Sequence, residues 1–248
     1  MDILKSILIW FMGITIMVIF FPVTFFVWLI LLPFDRNRTV VHWLLIYQAL
    51  IVSYLIPVWK IKIEGREKAV RGETYVIISN HQSILDILLL NCLRYRFKWI
   101  SKIENIKMPV LGWYLRMADY ITVDRGDKDS KERMMLEAFD CLKKGISIMI
   151  FPEGTRSPDG EIGFFKRGAF QLAISAKVPV LPVLIEGTRN ILPKHGLIFG
   201  GYNNISIRVF DPVLPEAFGT DNCDDLALKF RTQMAEALAG ARKEMMKK

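Results

Sequence analysis

The chain has 248 residues, 52% of them hydrophobic, with 33 Lys and Arg against 25 Asp and Glu, a formal charge of +8 at pH 7. That length supports one large domain, or an ordinary domain with an appendage, and the composition excludes a disordered or low-complexity chain. A pI near 9.4 suits anionic lipid headgroups or an acidic soluble partner; the same charge would attract nucleic acid, which is less favoured because no recognisable nucleic-acid-binding motif accompanies it.

A mean hydropathy of +0.29 is high for a domain that must keep its surface wet, so the excess must be localised. It lies at the start: no charged residue occurs over residues 6–33 or 39–59, and only the link Asp-Arg-Asn-Arg separates the two runs. The first run is too long for the apolar core of a signal peptide, and no small-residue cleavage site precedes the second. Two adjacent runs of about 20 residues suit membrane attachment better than a buried core hairpin. Pro22 interrupts the first and Pro57 lies near the end of the second, and a full crossing would strand Arg36 and Arg38 on the far side, so a shallow anchor in one leaflet is expected. Residues 1–59 read as a membrane-anchoring two-helix segment and residues 60–248 as the folded domain, which carries +7 of the charge.

In that domain β-like runs at 61–64, 75–79, 98–101, 120–123, 147–151, 180–185 and 205–210 alternate with helical stretches at 83–92, 109–115, 130–144, 168–176 and 224–246. The pattern predicts an α/β fold with a mixed, mostly parallel sheet flanked by helices and preceded by the apolar helical hairpin. Ligands of such sheets gather beyond the carboxyl ends of the strands, so the residues after each strand carry the interest. Cys92, Cys141 and Cys223 are odd in number and widely spaced, which suits a reducing compartment, and His42, His81 and His195 lack metal-ligand spacing.

After the second run come Asn80 and His81, then Ser83 as a helix cap and Asp86 at the third helical position. From there the Asp86 carboxylate can reach back to His81, fix its tautomer and stabilise an imidazolium, which makes His81 a base. A purely structural alternative has Ser83 and Asp86 capping the helix while His81 fills a turn. After the fifth run, Phe-Pro-Glu-Gly-Thr-Arg-Ser at 151–157 sets the Thr155 hydroxyl and the Arg156 fork in a glycine-containing loop suited to phosphate oxygens. Here the structural alternative is a surface turn in which Arg156 pairs with Glu153. No Gly-x-Ser-x-Gly elbow occurs, so direct attack by an acceptor hydroxyl is expected rather than an acyl-enzyme.

Asn-His-Gln-Ser-Ile-Leu-Asp at 80–86, with the 151–157 loop about 70 residues on, resembles the glycerolipid acyltransferase family and most of all its bacterial 1-acylglycerol-3-phosphate branch. The blocks around Arg125 and Pro182, and the 101–113 segment with Lys102, Pro109 and Gly112, extend the resemblance over about 75–194. It implies acyl transfer from a thioester donor, coenzyme A or acyl carrier protein, to the sn-2 hydroxyl of lysophosphatidate, with no cofactor. It implies His81 as general base and Asp86 as its orienting partner. Arg125, Glu153, Gly154 and Arg156 would hold the acceptor's phosphate or glycerol, joined by the Thr155 hydroxyl. Lys102 would stabilise the oxyanion or the phosphate, and Pro182 would shape the pocket. A place at the cell membrane with the domain on the cytoplasmic face goes with this. Other readings are a glycerol-3-phosphate or other lysophospholipid acceptor, a membrane-bound thioesterase or lipase, and an inactive scaffold. Basic residues Lys60, Lys62, Arg94, Arg96 and Lys98 form a candidate surface for an acidic carrier protein or coenzyme A phosphates.

Overall fold

The computed structural model describes residues 3–56, 59–201 and 203–246, so Pro57 lies outside the described residues. Helix α1 (Ile3–Leu31) runs unbroken through Pro22, and α2 (Thr39–Leu55) follows after a short link. The charged link caps both helices. Asp35 accepts the Thr39 and Val40 N–H groups at 2.9 and 2.7 Å, and Arg38 donates to Leu32 O at 3.1 Å. Helix α1 is long and apolar enough to cross a membrane, and large side chains such as Leu4, Phe11, Phe26 and Ile30 stay exposed along it.

The domain runs β1 (Trp59–Glu64), β2 (Val76–Ser79), α3 (Leu85–Leu90), β3 (Phe97–Lys102), α4 (Leu111–Met117), β4 (Ile121–Val123), α5 (Lys128–Lys143), β5 (Ser147–Ile150), α6 (Gly168–Ala176), β6 (Val180–Glu186), α7 (Thr188–Ile191), β7 (Asn203–Val209) and α8 (Cys223–Met246). Among the described residues the strands form one sheet in the order β1-β7-β6-β2-β5-β3-β4, with only the β6–β7 pairing antiparallel. This is the mixed, mostly parallel sheet expected. The fully buried runs of β2 and β6 are apolar because helices cover both faces of a parallel sheet.

Helices α5, α6 and α8 cover one face, where Phe170 stacks on Phe230 at 5.5 Å. Each of those rings contributes about 1.5–3 kcal/mol by leaving water. The other face is covered by α3, the residues after α7 and Ile9 of α1. Further along α1, Phe21 packs edge-on to Tyr114 of α4, whose hydroxyl donates to Met17 O at 2.8 Å. His42 on α2 meets the domain through the Tyr120 hydroxyl and Tyr95 O, at 2.8 and 2.9 Å, as a helix-interface residue should.

Lys98 does not belong to a basic surface. It is buried, donates to Ala118 O at 2.5 Å and has its pKa lowered by burial, so it ties β3 to the end of α4. Its place in β3, with the side chain turned inward, removes it from any carrier-protein surface, and Lys62 of that set is paired with Glu64.

Candidate active site

Strand register brings the singled-out residues to one edge. Ile78 pairs with Ile150, Trp99 with Met149 and Lys102 with Val123, so the carboxyl ends of β2, β5, β3 and β4 finish side by side. At roughly 4.8 Å per strand, the edge from His81 past the 151–157 loop and Lys102 to Arg125 spans about 14 Å.

His81 sits in the turn after β2 with its Nδ1 2.8 Å from Asp86 Oδ2. Asp86 is fully buried in the first turn of α3. The same Oδ2 accepts Gln82 N at 2.6 Å and Ser83 N at 2.8 Å, while Oδ1 accepts the Thr188 hydroxyl at 2.6 Å. With donors on every side, the carboxylate acts as an acceptor, which puts the imidazole proton on Nδ1. Nε2 then carries the lone pair and has no partner among the described residues. The imidazole lies flat on Phe151, centroids 3.9 Å apart at 9°, and Phe151 stacks on Trp99 at 5.4 Å. A cation formed on that ring meets the electron-rich face of Phe151.

The capping expectation for Ser83 holds only in part. Its hydroxyl accepts Leu85 N at 3.3 Å but donates to Leu192 O at 2.6 Å, and the residue flanking α3 is Ile84. The Ser79 and Ser157 hydroxyls donate to Asn80 O and Asp159. None of these three serines points its hydroxyl proton at His81.

The turn is held from outside as well. Asn80 uses its side-chain amide as a strand would, donating to Ile185 O at 2.8 Å and accepting Ile185 N at 2.9 Å. Glu153 is buried and does not pair with Arg156. Its Oε1 accepts His81 N at 2.9 Å and its Oε2 accepts Gly163 N at 3.0 Å, while Ser157 N donates to His81 O at 2.7 Å. The 151–157 loop thus clamps the His81 backbone from both sides. Burial pushes the Glu153 carboxyl above the usual carboxylate range, against the pull of the two N–H groups. Gly154 has φ +68°, a conformation that calls for glycine, and the atom a Cβ there would crowd, Lys166 Nζ at 2.8 Å, ends a flexible side chain that can move aside.

Thr155 is exposed and Arg156 half-buried at the rim of that loop. Lys102 is exposed and paired with Glu104 at 2.6 Å, and the exposed Arg125 is close enough to lower the Glu104 carboxyl, after the larger effect of the Lys102 hydrogen bond. The three cations therefore form an open arc beside the enclosed His81. Sequence reasoning missed Thr188 and the bracing use of Asn80 and Glu153. Thr188 stands in the same block as Pro182, right after the strand end, and that position was its signal.

The sequence model described as Acyltransferase matches residues 60–186. A chloroplast 1-acyl-sn-glycerol-3-phosphate acyltransferase of Arabidopsis thaliana is 36% identical over 185 residues, 74% of this chain and 51% of its own length. The 1-acyl-sn-glycerol-3-phosphate acyltransferase of Saccharomyces cerevisiae is 32% identical over 190 residues, covering 72% and 59%. The alpha form from Mus musculus is 30% identical over 201 residues, covering 80% and 69%. The chain thus spans about half to two-thirds of the length of these curated relatives. The crystal structure of the 1-acyl-sn-glycerophosphate acyltransferase PlsC from Thermotoga maritima superposes with a TM-score of 0.82 at 25% identity, covering 98% of this chain and 96% of that one.

Proposed function

The chain belongs to the acyltransferase family, and from that premise we propose that it moves a fatty acyl group from a thioester to the sn-2 hydroxyl of lysophosphatidate, forming phosphatidate. The observation that carries this reading is the His81–Asp86 pair with Nε2 open, next to the cationic arc at the same sheet edge.

In this reading Nε2 takes the hydroxyl proton as the oxygen attacks the thioester carbonyl, and Asp86 stabilises the imidazolium that results. The tetrahedral intermediate collapses with loss of the thiolate, which takes the proton back from Nε2, so His81 ends as it began. Arg125, Arg156 and the Thr155 hydroxyl hold the acceptor's phosphate, and Lys102 serves the phosphate or the oxyanion. Glu153 and Gly154 shape the site: Glu153 fixes the His81 backbone, and Gly154 gives the loop its turn. Residues 1–59 anchor the enzyme in lipid and residues 60–248 form the catalytic domain on the cytoplasmic face. The exposed apolar surface of α1 supports that attachment. The donor is a thioester of coenzyme A or acyl carrier protein.

The test is phosphatidate formation from lysophosphatidate and acyl thioester in detergent micelles, wild type beside His81→Ala, with lipid products analysed. Product from wild type and none from the variant is expected. Thioester loss without a new lipid would mean hydrolysis or another acceptor.

A further inference from the structure

The segment between α7 and β7 takes no part in the chemistry above, yet it is fastened at both ends. Leu192 O accepts the Ser83 hydroxyl, one turn after Thr188 grips Asp86. Further on, Trp10 Nε1 of α1 donates to Leu197 O at 2.9 Å and Phe199 N donates to Ser6 Oγ at 3.0 Å. Phe199 is buried, with its ring 5.3 Å from Trp10 and 6.4 Å from Trp59. Locked in this way, the loop holds Leu197 and Ile198 outward, 75% and 50% exposed. They line an apolar groove of about 380 Å³ with Ile3, Ile7 and Trp10. Ile3, Leu4 and Ile7 are exposed beside them, so loop tip and first turns of α1 make one apolar surface, flanked by Lys194 and His195.

Two adjacent large aliphatic side chains held in water by designed bonds fit a partner that is itself apolar, and the surface they extend is that of the apolar helix. We propose that residues 194–198 are a second lipid-contacting element: Leu197 and Ile198 enter the acyl-chain layer beside α1 while Lys194 meets the headgroups. This rests on the reading of α1 as a lipid anchor. Because the same segment grips Ser83 and follows Thr188, it sets the depth of the catalytic turn relative to the interface where an amphiphilic acceptor presents its hydroxyl.

The test uses the full chain on vesicles of phosphatidylethanolamine and phosphatidylglycerol whose acyl chains carry a diazirine, with adducts mapped by mass spectrometry. Adducts on both α1 and the 194–198 segment are expected. Adducts on α1 alone overturn the loop proposal and leave the anchor standing, and adducts on neither overturn the anchor as well. In parallel, Leu197→Glu with Ile198→Glu should lower phosphatidate formation in vesicles at least tenfold and change it less than twofold in micelles, where the micelle reading also shows that the variant folds. Leu197→Ile with Ile198→Leu should keep both activities. Vesicle activity within twofold of wild type in the charged variant overturns the proposal. So does loss of a dimer in detergent on adding the charges, since the patch would then be an interface between copies.

Discussion

At residues 80–86 the polar groups are already engaged: Asn80 with Ile185, Ser83 with Leu192, Asp86 with His81 and Thr188. At the same sheet edge Lys102, Arg125 and Thr155 stand in water and Arg156 is only half-covered. In the proposed mechanism the two regions divide the work of one site. In that mechanism His81 is pre-set by buried bonds that cost no reorganisation when a proton moves, whereas Arg125 and Arg156 stay solvated, and Lys102 stays beside Glu104, until an anion arrives. Damage to the first should therefore appear in kcat and damage to the second in KM, and each substitution below tests that division.

The largest effect is expected from Asp86→Asn. Its side-chain NH2 would face backbone N–H donors or the Thr188 hydroxyl, and the His81 tautomer would lose its lock. Steady-state kcat should fall about 10³-fold or more, with about 1–3 kcal/mol less stability in a denaturant melt. A fall below tenfold would mean that the turn is not the catalytic region.

Glu153→Gln comes next, because an amide can accept from only one of the two N–H groups that the carboxylate satisfies. A shift of His81 should lower kcat about 10- to 100-fold while KM for lysophosphatidate moves less than about twofold. Should KM rise instead, Glu153 belongs with the arc. Thr188→Val removes one donor from Asp86 and should lower kcat about tenfold, with about 1–2 kcal/mol lost in stability.

On the open side, Arg156→Gln should raise KM for lysophosphatidate about tenfold, one charge-assisted bond being worth about 1.5–3 kcal/mol. Stability should stay within about 0.5 kcal/mol. The salt dependence of KM should also flatten, since the interaction lost is a screened one. A large kcat effect at constant KM would break the comparison.

The legible part of the fold was its local part. Strand runs and the 168–176 helix stand in the sequence because apolar stretches and breaker residues mark them within a few positions. The His81–Asp86 pair was legible for the same reason, lying in one turn. Bonds that join distant segments were not: Asn80 to Ile185, Ser83 to Leu192 and Thr188 to Asp86 each cross about 100 positions and exist only because β6 lies beside β2. Lys98 looked like a surface cation because its burial depends on α4 delivering Ala118 O to it. Pro22 looked like an interruption, yet α1 continues through it.

The smallest expected effect separates the regions by protonation. Burial raises the Glu153 carboxyl above its ordinary 4.5 in the folded chain, so the folded state holds that proton more firmly than the unfolded chain does. Its stabilising contribution is complete below 4.5 and is lost as pH rises through the raised value. Glu153→Gln does not titrate there, so the stability of wild type minus that of the variant should shrink as pH rises above 4.5, read by denaturant melts in detergent at each pH. A flat difference would mean that the two backbone N–H groups offset the burial entirely, leaving Glu153 with a proton affinity like that of a solvated carboxylate although it is enclosed.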